Sequence, residues 1–101
     1  MTTGNNFKDH FLSKKKNLGD YLDTNYRKLG IDSPRFLEDI AKITDDKTVE
    51  FIGLGTYKKG VPPANIYRGN GLTVIVKPSG EWVTLLKSGE GMDTAIKLIN
   101  P

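Results

Sequence analysis

His10 is the single histidine of the chain, and Lys14 follows it by four residues. On a helix that interval is one turn, so an imidazole and an ammonium would stand side by side on one face. Histidine can take or give a proton near neutrality, and a neighbouring lysine can neutralise charge building on a phosphate. The pair therefore suits phosphodiester chemistry: a proton taken from a ribose 2′-OH or given to a leaving oxygen. The competing reading is an ordinary exposed histidine among solubilising lysines, because Lys8, Lys14, Lys15 and Lys16 face only Asp9 across residues 7–17.

A second candidate lies in Glu81-Trp82-Val83-Thr84-Leu85-Leu86-Lys87. Strand alternation predicts Trp82, Thr84 and Leu86 on one face and Val83, Leu85 and Lys87 on the other. Thr84, between two large apolar neighbours, could hold a phosphate oxygen through its hydroxyl or could serve only as a β-branched strand residue. Tyr57 and Tyr67 divide in the same way between stacking on bases and filling a sheet.

Other chemistries fall away. With no cysteine there is no disulfide, zinc-thiolate site, iron–sulfur cluster or thiol nucleophile. A metal would need three carboxylates converging on His10, and the carboxylates cluster elsewhere, so neither a metal nor another cofactor is expected. Gly53-Leu54-Gly55 lacks the third glycine of a dinucleotide fingerprint. Gly55 and Gly60 have the P-loop interval, but Val61-Pro62 stands where Lys-Ser/Thr is required. The longest aliphatic run, Val74-Ile75-Val76, is far short of the ~20 apolar residues that span a bilayer, and residues 1–16 are too polar for a secretory signal.

The elements that must position these residues are legible from periodicity. The chain has 101 residues, enough for one domain. Phe7, Phe11 and Leu12 predict a short amphipathic helix over 5–16, which Gly19 interrupts. Leu18, Leu22, Tyr26 and Leu29 predict a second over 19–29, stopped by Gly30. Ser33 as cap and Pro34 in the first turn open a third, with Phe36, Leu37, Ile40, Ala41 and Ile43 as its buried stripe. From Lys47 the period becomes alternating. Strands are predicted at 48–57, 65–68, 72–77 and 81–87, the first with Val49 and Phe51 on one face and Ile52 and Leu54 on the other. Gly69-Asn70-Gly71 and Pro78-Ser79-Gly80 supply the turns, and Pro62-Pro63 a loop or sheet edge. Met92, Ala95, Ile96 and Ile99 predict a last short helix over 92–99. The expected architecture is α+β: a helical part at 1–46, a four-stranded antiparallel sheet at 47–88 and a short helix within 89–101.

The net charge is +3, and its distribution says more than its size. Residues 1–50 carry nine basic and nine acidic groups, whereas residues 51–101 carry six basic and three acidic. A basic side holding Lys8, Lys14, Lys15, Lys16, Lys58, Lys59 and Arg68 is predicted opposite an acidic stretch from Glu38 to Glu50. A polyanion such as RNA would meet the basic side.

Taken together, Phe7-Lys8-Asp9-His10, Gly55-Thr56-Tyr57 and the run from Val74 through Gly80-Glu81-Trp82-Val83-Thr84 to Lys87 resemble a toxin family. It comprises the C-terminal nuclease domain of colicin D and related tRNA-cleaving tips of contact-dependent growth inhibition proteins. The resemblance implies a barnase/EndoU/colicin/RelE-like nuclease fold and metal-independent cleavage of tRNA, in which the 2′-OH attacks the adjacent phosphate and leaves a 2′,3′-cyclic phosphate and a 5′-OH. It implies His10 as general acid/base, Lys8 with Lys14 or Lys15 on the phosphate, Thr84 in the place of a family serine, and Lys87 at the family's matching lysine. Lys16, Thr56, Tyr57, Lys58, Lys59 and Arg68 join the RNA-binding set. Two positions depart from the pattern: the family interval counted back from Gly19 reaches Lys14 instead of His10, and Leu86 stands where colicin D has tryptophan. The acid/base is thus His10 or Lys14. The implied partners are tRNA, a cognate immunity protein and, in some members, a host translation elongation factor. The implied setting is the tip of a secreted or cell-surface toxin delivered to the cytoplasm of target bacteria. The alternatives are a non-catalytic RNA- or protein-binding module and a ribosome-dependent mRNA interferase.

Overall fold

The computed structural model describes residues 7–56 and 62–100. Two helices, α1 (Phe7–Leu22) and α2 (Leu29–Asp45), precede the strands β1 (Glu50–Thr56), β2 (Ala64–Gly69), β3 (Leu72–Val76) and β4 (Trp82–Lys87). A 3-10 turn (Gly91–Ala95) and a fifth strand, β5 (Lys97–Asn100), follow. The strands form one antiparallel sheet in the order β4-β3-β2-β1-β5, so the architecture is α+β with both helices packed on the sheet.

The helical part has two helices instead of three. α1 continues through Gly19, because glycine here serves a close approach and not a break. A Cβ at Gly19 would lie 2.7 Å from the Thr24 carbonyl oxygen, and Thr24 N–H donates to Gly19 O at 2.8 Å. The chain after α1 thus turns tightly back over the helix. The spacing of Leu22, Tyr26 and Leu29 does not run through one helix, because Leu22 ends α1 and Leu29 begins α2; Tyr26 is buried from the irregular segment between them, its hydroxyl on Asp39 (2.6 Å) and the Arg35 guanidinium over its ring. α2 starts four residues ahead of Ser33 because the Asp32 carboxylate reaches back to accept from the backbone N–H of Arg27 and Lys28. Gly30, expected as a stop, therefore lies in its first turn.

Between the helices and the sheet lies the main core: Phe11, Leu18, Tyr26, Phe36 and Ile40 against Leu72, Val74, Val76, Trp82 and Leu85. Phe36 is its centre, with the rings of Phe11, Trp82 and Tyr26 at 5.0, 5.1 and 5.2 Å. The opposite sheet face buries a smaller cluster, Ala64, Ile66, Ile75 and Leu86.

The strand region follows expectation except at two bulges and at its end. Asn70 and Gly71 take positive φ (54° and 82°) in the two-residue β2–β3 turn, and Gly80 (95°) in the β3–β4 turn. Between Ile75 and Val76 the register with β4 slips, so that Thr84 opposes Ile75 while Trp82 opposes Val76. The extra residue overturns the simple alternation: Trp82 joins Leu85 in the helix-side core, and Thr84 and Leu86 face the other way. A bulge between Phe51 and Gly53 acts likewise in β1. Phe51 and Leu54 oppose Tyr67 and Asn65 on the helix side, and Ile52 packs on the other cluster.

The predicted helix over 92–99 is instead the 3-10 turn and β5, which pairs with β1 through Gly55↔Leu98 and Thr56↔Lys97. Asp93 explains the change. Its carboxylate is held by Arg68 at 2.8 Å and by the Gly89 N–H, which pins the segment to the sheet and leads residues 97–100 to the open edge of β1.

Candidate functional site

Four half-buried residues, His10, Lys14, Asn17 and Tyr21, recur at steps of four, three and four along one flank of α1. The fully buried Phe11 and Leu18 lie beside them. This flank follows β4 from end to end. At the start of the strand the His10 ring stands edge-on to Trp82, centroids 6.1 Å apart. At its end, Asn17, Asp20 and Tyr21 enclose a cleft of about 360 Å³ with Lys87, Ser88 and Glu90. α1 and β4 therefore run in the same direction, with Lys14 between the two ends.

Helix geometry sorts the predicted lysines. Lys14 is one turn, about 5.4 Å, along the His10 flank. Lys8, two residues before His10, projects from the far side of α1 and is exposed. The Lys15 ammonium donates to the Arg27 carbonyl at 3.2 Å, and Lys16 pairs with Asp20 at 3.1 Å in solvent. Of the basic run, Lys14 alone shares the flank of His10.

The remaining candidates do not converge on His10. Thr84 is buried on the opposite sheet face, and its hydroxyl lies 3.5 Å from the Leu85 carbonyl of its own strand. Lys87 is on the helix side, opposite Leu72, but five residues from Trp82, or about 16 Å along the strand. It belongs to the far end of the flank and cannot act on a phosphate held at His10. Arg68, expected to follow an RNA backbone, is engaged with Asp93 and Thr73, and Ser88 completes the cluster 2.9 Å from the Thr73 hydroxyl. Burial pushes the Asp93 carboxyl up, but the Gly89 N–H, the Thr73 hydroxyl and the Arg68 guanidinium outweigh it and hold the carboxyl below its ordinary range. Thr56 ends β1 opposite Lys97. Tyr57, Lys58 and Lys59 lie outside the described residues.

Two members of the flank were not singled out by sequence reasoning. Asn17 and Tyr21 continue the spacing of His10 and Lys14, so the helical period alone could have found them. No local signal marks Trp82 as the neighbour of His10, because a bulge turns it there. Trp82 is 2% exposed, and its indole N–H has no hydrogen-bond partner among the described residues. Among the described residues no three His, Asp or Glu side chains gather as a metal-binding group, and no helix is long and apolar enough to cross a membrane.

No family model matches this chain, and neither a curated protein nor a solved structure matches it.

Proposed function

We propose that this chain is a metal-independent endoribonuclease domain of the tRNA-cleaving toxin type, built on a barnase-like nuclease fold. The observation that carries the reading is the flank itself: a half-buried histidine backed by an aromatic ring, with a lysine one turn away on the same side. In this reading the ribose 2′-oxygen attacks the adjacent phosphorus as its proton passes to a base. The P–O5′ bond breaks, the 5′ oxygen takes up a proton, and the products are a 2′,3′-cyclic phosphate and a 5′-OH. His10 performs one of the two proton transfers and Lys14 neutralises the phosphorane charge. Lys87 holds RNA further along the flank. The choice of tRNA, a neutralising immunity protein, a host elongation factor and delivery into target cells come from the sequence resemblance.

The test is cleavage of total tRNA by the purified chain, with EDTA present and with a 2′-deoxy nucleotide at the mapped cut. Cleavage that persists in EDTA and vanishes with the 2′-deoxy substitution is the expected result. Cleavage of the 2′-deoxy substrate, or its loss in EDTA, would overturn the mechanism.

A second reading, a non-catalytic RNA-binding module, is favoured by one observation: only His10 and Lys14 of the expected catalytic set come together, Thr84 and Lys87 being elsewhere. Under it the chain binds tRNA and leaves it intact. Cleavage seen only when ribosomes are present would instead indicate an mRNA interferase.

A further inference from the structure

The segment that returns from α1 to α2, Thr24 to Arg27, is irregular and yet held at every residue. The Thr24 N–H donates to the Gly19 carbonyl at 2.8 Å, and the Arg35 guanidinium donates to the Thr24 hydroxyl at 2.9 Å and to the Asn25 carbonyl. The Tyr26 hydroxyl is on Asp39, and the Arg27 N–H donates to the Asp32 carboxylate at 2.6 Å. Lys15 ties the segment to α1, its ammonium on the Arg27 carbonyl at 3.2 Å. Two donor groups are left over: the side-chain amide of Asn25 and the guanidinium of Arg27 make no hydrogen bond among the described residues. Both line a cleft of about 580 Å³ together with Lys15, Lys16, Asp20 and Thr24. The cleft stays positive after its pairs are counted. Lys16 and Asp20 cancel. Asp32, outside the lining, is 3.8 Å from Arg35 and feels Arg27 less strongly. The bond from Lys15 to a carbonyl fixes the ammonium without neutralising it, so Lys15 and Arg27 both have charge to offer.

We propose that this cleft, through Lys15 and Arg27, holds a backbone phosphate of the RNA on the side of α1 away from His10, so that the substrate straddles the helix. A guanidinium fork and an ammonium suit a phosphodiester. The Thr24 hydroxyl, which accepts from Arg35, keeps its own proton to donate, and the Asn25 amide adds two more donors. Because the segment is already held, little ordering is needed when the phosphate arrives. Lys14 and Lys15 are consecutive and diverge by about 100°, which sets them on opposite sides of the buried stripe of Phe11 and Leu18. A helix is about 10–12 Å across, so phosphates at the two lysines flank α1 at about that separation. The site rests on the nuclease reading for RNA as its ligand and for the cut at His10. Binding in the cleft does not itself require cleavage.

The experiment measures binding of the full chain to a labelled, fully 2′-O-methylated copy of a tRNA arm, which has no 2′-OH to attack, over a range of salt concentrations. The double variant Lys15→Gln, Arg27→Gln should bind at least about tenfold more weakly at about 0.1 M salt, and its slope of log K against log salt concentration should fall by about 1. Lys42→Gln with Lys47→Gln removes the same charge from the C-terminal end of α2 and should stay within about twofold of wild type. Arg27→Gln alone alters a side chain that makes no hydrogen bond in the protein, so it keeps the fold and should still weaken binding by about threefold or more. Equal losses in the two double variants would reduce the site to general attraction. Wild-type affinity in the Lys15, Arg27 variant would exclude RNA from the cleft and leave it to an acidic protein. Either result overturns the proposal. The two readings separate in the outcome. A chain that holds the methylated RNA through this cleft but leaves natural tRNA intact loses the nuclease and keeps the site, whereas tRNA cutting with an unchanged KM in the Lys15, Arg27 variant does the reverse.

Discussion

The imidazole of His10 meets the indole of Trp82 edge-on, with ring planes at 78° and centroids 6.1 Å apart. An edge-to-face contact restricts the imidazole to few rotamers, because turning it away would uncover a ring that is 2% exposed. A restrained imidazole is what proton transfer to a bound phosphodiester requires. His10→Ala should therefore lower tRNA cleavage by about 10²-fold or more, whereas His10→Gln, which still covers the indole, should match it in activity loss but keep the wild-type melting temperature. Comparing cleavage rates with thermal melts for the two variants separates chemistry from packing. A His10→Gln protein that cuts at the wild-type rate would pass the acid/base role to Lys14.

Thr84 gives the opposite expectation. Its side chain sits on the sheet face away from His10, among Ile66, Ile75 and Leu86. Thr84→Val keeps the β-branched shape and removes a hydroxyl whose hydrogen bond among the described residues, at 3.5 Å to the Leu85 carbonyl, is at the limit of such a bond. Cleavage by Thr84→Val should equal wild type, and stability should change by less than about 1 kcal/mol. A tenfold loss of activity in a normally folded Thr84→Val protein would mean that the two sheet faces communicate.

These two residues show what the sequence makes visible. The spacing of His10 and Lys14 is local, and a helix through Phe7, Phe11 and Leu18 carries it without further information. The relation of Thr84 to His10 depends on one additional residue in β4, and a single-residue slip exchanges the faces of everything before it. Nothing near Trp82 announces that slip. The turns at Asn70-Gly71 and Gly80 are legible because positive φ selects their residues. The C-terminal strand is not, because the pattern of Ala95, Ile96 and Ile99 fits a helix and only Asp93, bound to an arginine 25 residues earlier, decides otherwise. Gly19 misled for a related reason: a glycine required by a tertiary contact looks in sequence like a helix breaker.

Gly19→Ala tests that explanation by sign. Inside a helix, alanine is ordinarily favoured over glycine by about 1 kcal/mol. Here the added methyl would meet the Thr24 carbonyl oxygen at 2.7 Å, and backbone cannot swing aside as a side chain can. The substitution should destabilise the protein by about 1–3 kcal/mol in urea unfolding. A stabilised variant would mean that the turn after α1 is not packed against the helix in solution.

The Arg68–Asp93 pair predicts how the fold responds to acid. Asp93 is 4% exposed at its side chain and Arg68 37%, so half of the pair is screened by water and its contribution is below that of a fully buried bridge. The carboxyl titrates below its unfolded value, so the stability it contributes is complete above about pH 4 and is lost as the pH falls through the folded value. Asp32 and Asp46 are shifted in the same direction by the backbone N–H groups they accept, of Arg27 and Lys28 in one case and Thr48 in the other. Acid sensitivity therefore persists without Asp93, but in weaker form. Asp93→Asn should cost about 1–3 kcal/mol at pH 7, and the difference from wild type should shrink as the pH falls through the carboxyl's lowered folded value, where Asp93 loses its charge as well. Thermal melts of both proteins from pH 7 to pH 2 measure this directly. Curves that stay parallel over the whole range would show that the ion pair does not hold the C-terminal segment, and that β5 stays on β1 by its strand hydrogen bonds alone.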